Sequence, residues 1–117
     1  MSFIYHIATA SDWAQALAAG EYTTSTRGRT LAEQGFIHSS TADQVAPVAN
    51  MIYQGLPDLL VLVIDTDRVR PEIRFEMVSG WDEPFPHIYG ALNVDAVVGT
   101  QRLEPGSDGR FSFADRP

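Results

Sequence analysis

Residues 59–64 read Leu-Leu-Val-Leu-Val-Ile, an unbroken apolar run. A strand with one face in water alternates polar and apolar side chains, so a run apolar on both faces is a strand covered on both. A membrane span needs about 20 such residues, and this run is far shorter. It is therefore a central strand, and the rest of the chain must supply cover for both of its faces. At 117 residues the chain suffices for one domain, 1–117, with one core and no covalent staples.

The stretch 35–55 supplies one layer of cover together with polar chemistry. Phe36 and Ile37 are strand formers, and His38, Ser39 and Ser40 follow where that strand must end. Ser40-x-x-Asp43 has the capping-box spacing that opens a helix. Val45, Val48, Ala49 and Ile52 then recur at helical spacing on an inward face, and Gly55 suits a left-handed C-terminal position. Pro47 removes one backbone donor, which predicts a kink or a separate first turn. Polar side chains at such a strand-to-helix junction make Ser39 and Ser40 candidates for ligand binding, because helix N-terminal N–H groups favour anionic groups.

The remaining segments read in order as an α+β pattern. Phe3 to Ala8 is a strand with Phe3, Tyr5 and Ile7 on one face and Ile4, His6 and Ala8 on the other. Thr9 or Ser11 caps a helix through Ala19, with Trp13, Leu17, Ala14 and Ala18 as its inward stripe and Gly20 as its stop. Tyr22 to Thr26 is a short edge strand or ordered loop, Arg27-Gly28-Arg29 is a turn, and Thr30-x-x-Glu33 caps one helical turn ending at Gly35. After the central strand, Ile73, Phe75 and Met77 alternate with Glu72, Arg74 and Glu76 in a half-exposed strand. Ser79 to Pro86 is a loop whose Trp81 and Phe85 lack an evident core partner, which suggests a lid over a cleft. His87 to Tyr89 and Ala96 to Leu103 are strands separated by a turn, and Glu104 to Pro117 is a final strand or a lightly docked tail anchored by Phe111 and Phe113.

Composition narrows the chemistry. There is no Cys, hence no disulfide, thiol nucleophile or thiolate metal site. All eight basic residues are Arg, which excludes Schiff-base lysine chemistry and a phosphate-loop lysine. A net charge of -7 argues against an extended nucleic-acid surface and for a small-molecule ligand. With no long apolar run and no charged leader the chain reads as soluble and cytoplasmic, without a membrane partner.

Only three histidines occur, and each sits among apolar or aromatic neighbours in a strand: His6, His38 and His87. Polar groups buried in sheet must be hydrogen-bonded, and imidazole titrates near neutrality, so the three are candidates for one shared catalytic pocket. Each taken singly also reads as a core histidine with a backbone partner.

The order Tyr5-His6, then 35–40 (Gly-Phe-Ile-His-Ser-Ser) leading to Ala49-Asn50-x-x-Tyr53, then 85–92 (Phe-Pro-His-Ile-Tyr-Gly-x-Leu) resembles the bacterial domain of unknown function 952 family over nearly the whole chain. That family resembles in fold the ADP-ribosyltransferases and RNA 2′-phosphotransferases. The resemblance implies a compact α+β ADP-ribosyltransferase-like domain, with small, mostly antiparallel sheets and two or three helices around a cleft. It implies NAD or ADP-ribose as ligand, His6 on the nicotinamide-side ribose, 35–40 entering the binding helix, and Tyr53 near the aromatic that stacks on nicotinamide. Tyr89 and Trp81 join Ser39, Ser40 and Tyr53 as expected ligand contacts. His87 falls near the position where the transferases carry a catalytic Glu, so the chain departs from that pattern at the reacting centre.

Glycosidic cleavage passes through an oxocarbenium-like state that a carboxylate stabilises. A neutral His87 accepts a ribose hydroxyl but supplies no such field, and Glu76 is the nearby carboxylate. Arg74, Arg27 or Arg29 can hold phosphates bidentately. Two other readings use the same residues: a metal-dependent hydrolase with a three-histidine site, and a non-catalytic nucleotide or ADP-ribose module.

Overall fold

The computed structural model describes residues 2–114. The sequence expectations for Met1 and for 115–117 at the end of the tail lie outside the described residues. In chain order the elements are β1 (Phe3–Thr9), α1 (Ala10–Ala19), β2 (Glu21–Tyr22), β3 (Thr24–Thr26), β4 (Arg29–Thr30), α2 (Leu31–Gln34), β5 (Ile37–His38) and α3 (Ala42–Ile52). They continue with β6 (Leu59–Asp65), β7 (Glu72–Glu76), β8 (Phe85–Tyr89), β9 (Leu92–Asn93) and β10 (Val97–Leu103), with 3₁₀ turns at Thr66–Arg68 and Val94–Ala96. The result is an α+β fold of small antiparallel sheets with three helices. Among the described residues no helix is long and apolar enough to cross a membrane.

The apolar run is β6, and it lies between β1 and β10, antiparallel to both. Its two faces feed two clusters. Leu59 and Val61 pack with Tyr5, Ile7, Val45, Val48, Phe85 and Phe111. Leu62 and Ile64 pack with Ile4, Ala8, Ile37, Ile88 and Leu92. A second three-stranded sheet, in the order β5-β8-β7, lends Ile37, Ile73 and Ile88 to the latter cluster. The two sheets are joined by one antiparallel bridge, in which Tyr5 N–H donates to the Ser40 carbonyl at 2.8 Å and Ser40 N–H to the Tyr5 carbonyl at 2.7 Å.

That bridge explains the first correction. With the Ser40 backbone held against β1, α3 opens one residue later than the Ser40–Asp43 spacing suggests. Thr41 is its N-cap and Gln44 returns its side-chain oxygen to the Thr41 N–H at 2.9 Å. The helix runs on through Pro47 without a separate first turn and ends at Ile52 with Tyr53 as C-cap, so Gly55, left-handed at φ 83°, shapes the following turn instead. The short α2 carries its expected capping box between Thr30 and Glu33 and ends at a left-handed Gly35.

Three further expectations fail on burial. In α1 only Ala16 is buried and Trp13 half-buried, whereas Leu17 is 56 % exposed and Ala14 and Ala18 face solvent. Trp13 meets the Tyr22 ring with centroids 6.5 Å apart, and Ala16, three residues on and so on the same side of the helix, is the buried contact. Phe75 is 58 % exposed, and Met77, 62 % exposed, lies beyond the end of β7, because β7 is an edge strand packed only at Ile73. Phe85 is not a loop aromatic but a fully buried residue of β8, whose first cluster supplies the core partner that the sequence did not reveal. Among the described residues of the tail no strand forms. Phe111 is buried, and Phe113 packs edge-on against Tyr5 with ring centroids 5.3 Å apart.

Candidate functional site

Antiparallel pairing of β5 with β8 puts His38 directly opposite His87, and directly opposed residues share a face. His38 Nδ1 lies 3.2 Å from His87 Nε2. Phe36, two residues before His38 and so on the same side of the strand, stacks on the His87 ring at 4.0 Å with planes 15° apart. From β7, Glu76 places Oε1 2.8 Å from His87 Nδ1 and accepts a second hydrogen bond from the Tyr89 hydroxyl. The guanidinium of Arg74 covers the Tyr89 ring at 4.6 Å.

These contacts determine where the protons sit. The Tyr89 and His87 hydrogen bonds hold the Glu76 carboxyl below its usual range, so it is an acceptor, and His87 must donate to it through Nδ1–H. In a neutral His87, Nε2 is then an acceptor, and His38 donates to it through Nδ1–H. That leaves His38 Nε2 with its lone pair free. Nothing among the described residues bonds it, and it is not sealed from solvent. Burial, and then the neighbouring His87 and His6 rings, lower the His38 pKa to about 4, so at neutral pH this nitrogen is a base.

His38, which carries the free nitrogen, lines a cavity of about 230 Å³ together with His87. One wall is the imidazole pair with Phe36; Val48 and Ile52 of α3 form a second, and Val78 and Trp81 a third. The last comes from the β3–β4 hairpin and α2, as Thr26, Arg29 and Gln34. The hairpin is tied down from behind. Arg27 N–H donates to the Tyr53 hydroxyl at 3.1 Å and Arg27 Nη1 to the Ile52 carbonyl at 2.9 Å.

The structure does not bring His6 into this cavity. Its Nδ1–H donates to the His38 carbonyl at 2.7 Å, and its Nε2 accepts from the Tyr22 hydroxyl at 2.9 Å. Burial lowers its pKa to about 4 and pushes the Tyr22 hydroxyl strongly up, which keeps this arrangement neutral. With both nitrogens of His6 occupied and His87 held between Glu76 and His38, the three-histidine metal reading lacks a convergent donor set. Among the described residues no three His, Asp or Glu side chains group to hold a metal ion.

The other sequence candidates scatter. Ser40 serves the sheet bridge through its backbone, and Ser39 is buried with an Oγ that has no hydrogen-bond partner among the described residues. The Tyr53 ring is in the core, and its hydroxyl is the hairpin tether, so it offers no stacking face to the cavity. Trp81 is half-buried, lines the cavity and sits edge-on to Phe85 with ring centroids 5.1 Å apart. Tyr89 acts through Glu76. Sequence reasoning missed Thr26, Gln34 and Phe36. Of these only Phe36 left a signal, its i, i+2 relation to His38. A larger cavity of about 440 Å³ lies elsewhere, between Gly55, Asp58, Leu103 and Phe111. Its Arg102 is taken up by Glu104 at 2.8 Å, and it contains no histidine.

These features define a class: a small α+β domain in which two three-stranded antiparallel sheets meet and the second presents a carboxylate-backed imidazole pair to a cleft. The chain belongs to the family described as protein of unknown function DUF952, which it matches over residues 7–100. It is similar to the crystal structure of protein CC0527 from Caulobacter crescentus, a structural genomics target, with 27% identity, 95% of this chain and 94% of that one covered, and a TM-score of 0.82. The solution NMR structure of CC0527 gives 28% identity, 94% and 91% coverage and a TM-score of 0.77. No curated protein matches the sequence.

Proposed function

We propose that this domain is an acid–base enzyme acting on a small ligand of the NAD- or ADP-ribose-related kind, with His38 as the proton-transferring group. The observation that carries the reading is the ordered chain Glu76–His87–His38, which ends on an unbonded ring nitrogen at the cavity. When His38 Nε2 takes a proton from a ligand hydroxyl or water, the charge spreads onto His87 through the shared Nδ1–H, and the Glu76 carboxylate offsets it. Phe36 stacking and the Tyr89 hydrogen bond hold His87 and Glu76 in register for this. The ligand class rests on the likeness of the family to ADP-ribosyltransferases and RNA 2′-phosphotransferases.

Standard ADP-ribosyl transfer fits poorly. Glu76 is engaged by His87 and Tyr89 and does not line the cavity, so no carboxylate faces a developing oxocarbenium. The cavity is also below the ~300–1,000 Å³ of sites for drug-sized ligands, so it takes part of a dinucleotide rather than the whole. The net charge of -7 favours such a ligand over a nucleic acid.

The test incubates wild type, His38→Gln and His87→Gln with NAD, ADP-ribose, nucleotides and their phosphate esters, and follows products by chromatography and ³¹P NMR. Turnover that falls at least ~100-fold in His38→Gln, with the fold intact, supports the reading. Equal turnover in wild type and His38→Gln rejects it. Tight binding with no product from any ligand makes the domain a binding module instead.

A further inference from the structure

The hairpin wall of the cavity is made of donors. Arg29 is exposed on β4 and makes no ion pair among the described residues; it influences only Glu33, whose carboxylate is already taken by the Thr30 N–H and hydroxyl. Gln34 uses its side-chain oxygen to accept from the Ser25 hydroxyl at 3.3 Å, which leaves its NH₂ group unbonded. The Thr26 hydroxyl likewise has no partner among the described residues. Arg27, the other cation of the hairpin, is spent on the end of α3. A chain of net charge -7 thus lines this cavity with a single charge, and that charge is positive.

Three uncommitted donors from three separate elements, one of them a guanidinium, belong to residues that line the same cavity as the imidazole pair. We infer that this end of the cavity is a tetrahedral-oxyanion subsite, which holds the phosphate of a sugar- or mononucleotide-sized monoester through Arg29, Gln34 and Thr26 and turns its neighbouring hydroxyl toward His38. A planar carboxylate offers all its acceptor sites in one plane, whereas a tetrahedral phosphate presents three oxygens in different directions, which suits donors arriving from three separate elements. The size of the cavity fits such a ligand. Bound beside the imidazole pair, the dianion favours the protonated form of His38, opposing the burial that keeps it neutral in the free protein. This inference rests on the proposed role of His38 for the direction of the hydroxyl, but not for the binding of the phosphate.

The experiment titrates the full chain with inorganic phosphate, ribose 5-phosphate and adenosine 5′-monophosphate, against acetate, ribose and adenosine, followed by ¹H–¹⁵N NMR and calorimetry. The phosphorylated probes should bind about tenfold or more tightly than their unphosphorylated counterparts, with shifts concentrated at Thr26, Arg29 and Gln34. Arg29→Gln should abolish that preference and Arg29→Lys retain part of it, with unchanged denaturation curves. Equal affinity for adenosine and its monophosphate, an unaltered preference in Arg29→Gln, or no binding of any phosphorylated probe at millimolar concentration would each overturn the inference. Acetate binding as tightly as phosphate would replace the phosphate with a carboxylate. The His38→Gln variant separates the two claims. Phosphate preference kept while turnover disappears leaves both standing, and preference kept with turnover unaffected removes only the role of His38.

Discussion

His6 and His38 are the same residue type in similar strand settings, His6 buried and His38 half-buried, and both have their pKa lowered to about 4. They differ in how many ring nitrogens are occupied. His6 donates through one and accepts through the other, so it is a closed unit of sheet structure. His38 donates to His87 and keeps a lone pair at a cavity. A lowered pKa alone therefore does not separate a structural histidine from a reactive one. The hydrogen-bond count on each ring does.

The largest expected effect breaks the closed unit. His6→Ala removes one buried and one part-buried hydrogen bond, leaving the His38 carbonyl unmatched and the Tyr22 hydroxyl without its imidazole acceptor, at about 1–3 kcal/mol each, so urea unfolding should show a loss of roughly 4 kcal/mol. His38→Ala, at a site with one bond and an open cavity, should cost about 1 kcal/mol. Similar losses in the two variants would erase the distinction.

Acid sharpens it next. A histidine whose folded pKa lies below its unfolded value binds its proton better when unfolded, so its stabilisation is complete above the unfolded pKa and is lost as pH falls toward the folded one. For His6 that window runs from about 6.5 down to about 4. The accompanying loss is on the order of 3 kcal/mol. His38 adds less because solvent reaches it. Urea midpoints at pH 7 and pH 4.5 check this, and a wild-type midpoint that stays flat across the window would mean that His6 is not held neutral by the fold. The smallest effect concerns Glu76→Gln, at an exposed edge. Unfolding should be unaltered, while the ¹⁵N shifts of the His87 and His38 rings change as the tautomer loses its anchoring charge. Unchanged ring shifts would take Glu76 out of the chain of proton positions.

What the sequence disclosed was whatever local rules govern. The Thr30–Glu33 box, the left-handed glycines at 20 and 35, and the double-sided β6 were all legible because each depends on residues within a few positions. The site was legible only in part. His38 and His87 were singled out, but that they meet, and that His6 turns away, follows from the β5–β8 register and the Tyr5–Ser40 bridge, which pair residues more than 30 positions apart. Ser40 and Thr41 begin overlapping cap patterns, Ser-x-x-Asp and Thr-x-x-Gln, and a backbone contact from β1 chose between them. The free donors of Thr26 and Gln34 had no local signature, since lack of a partner is a property of the assembled surroundings.

The interleaving of the two sheets has a consequence for how the molecule can be divided. The strands of one sheet are the first, sixth and tenth in the chain, and those of the other are the fifth, seventh and eighth. Any break in the chain between β5 and β7 therefore severs both sheets at once. No contiguous fragment ending there carries the cleft. The imidazole pair is thus a reporter of the whole fold. Its NMR signals should vanish on the same denaturant curve as amide protection in β10, although that strand belongs to the other sheet.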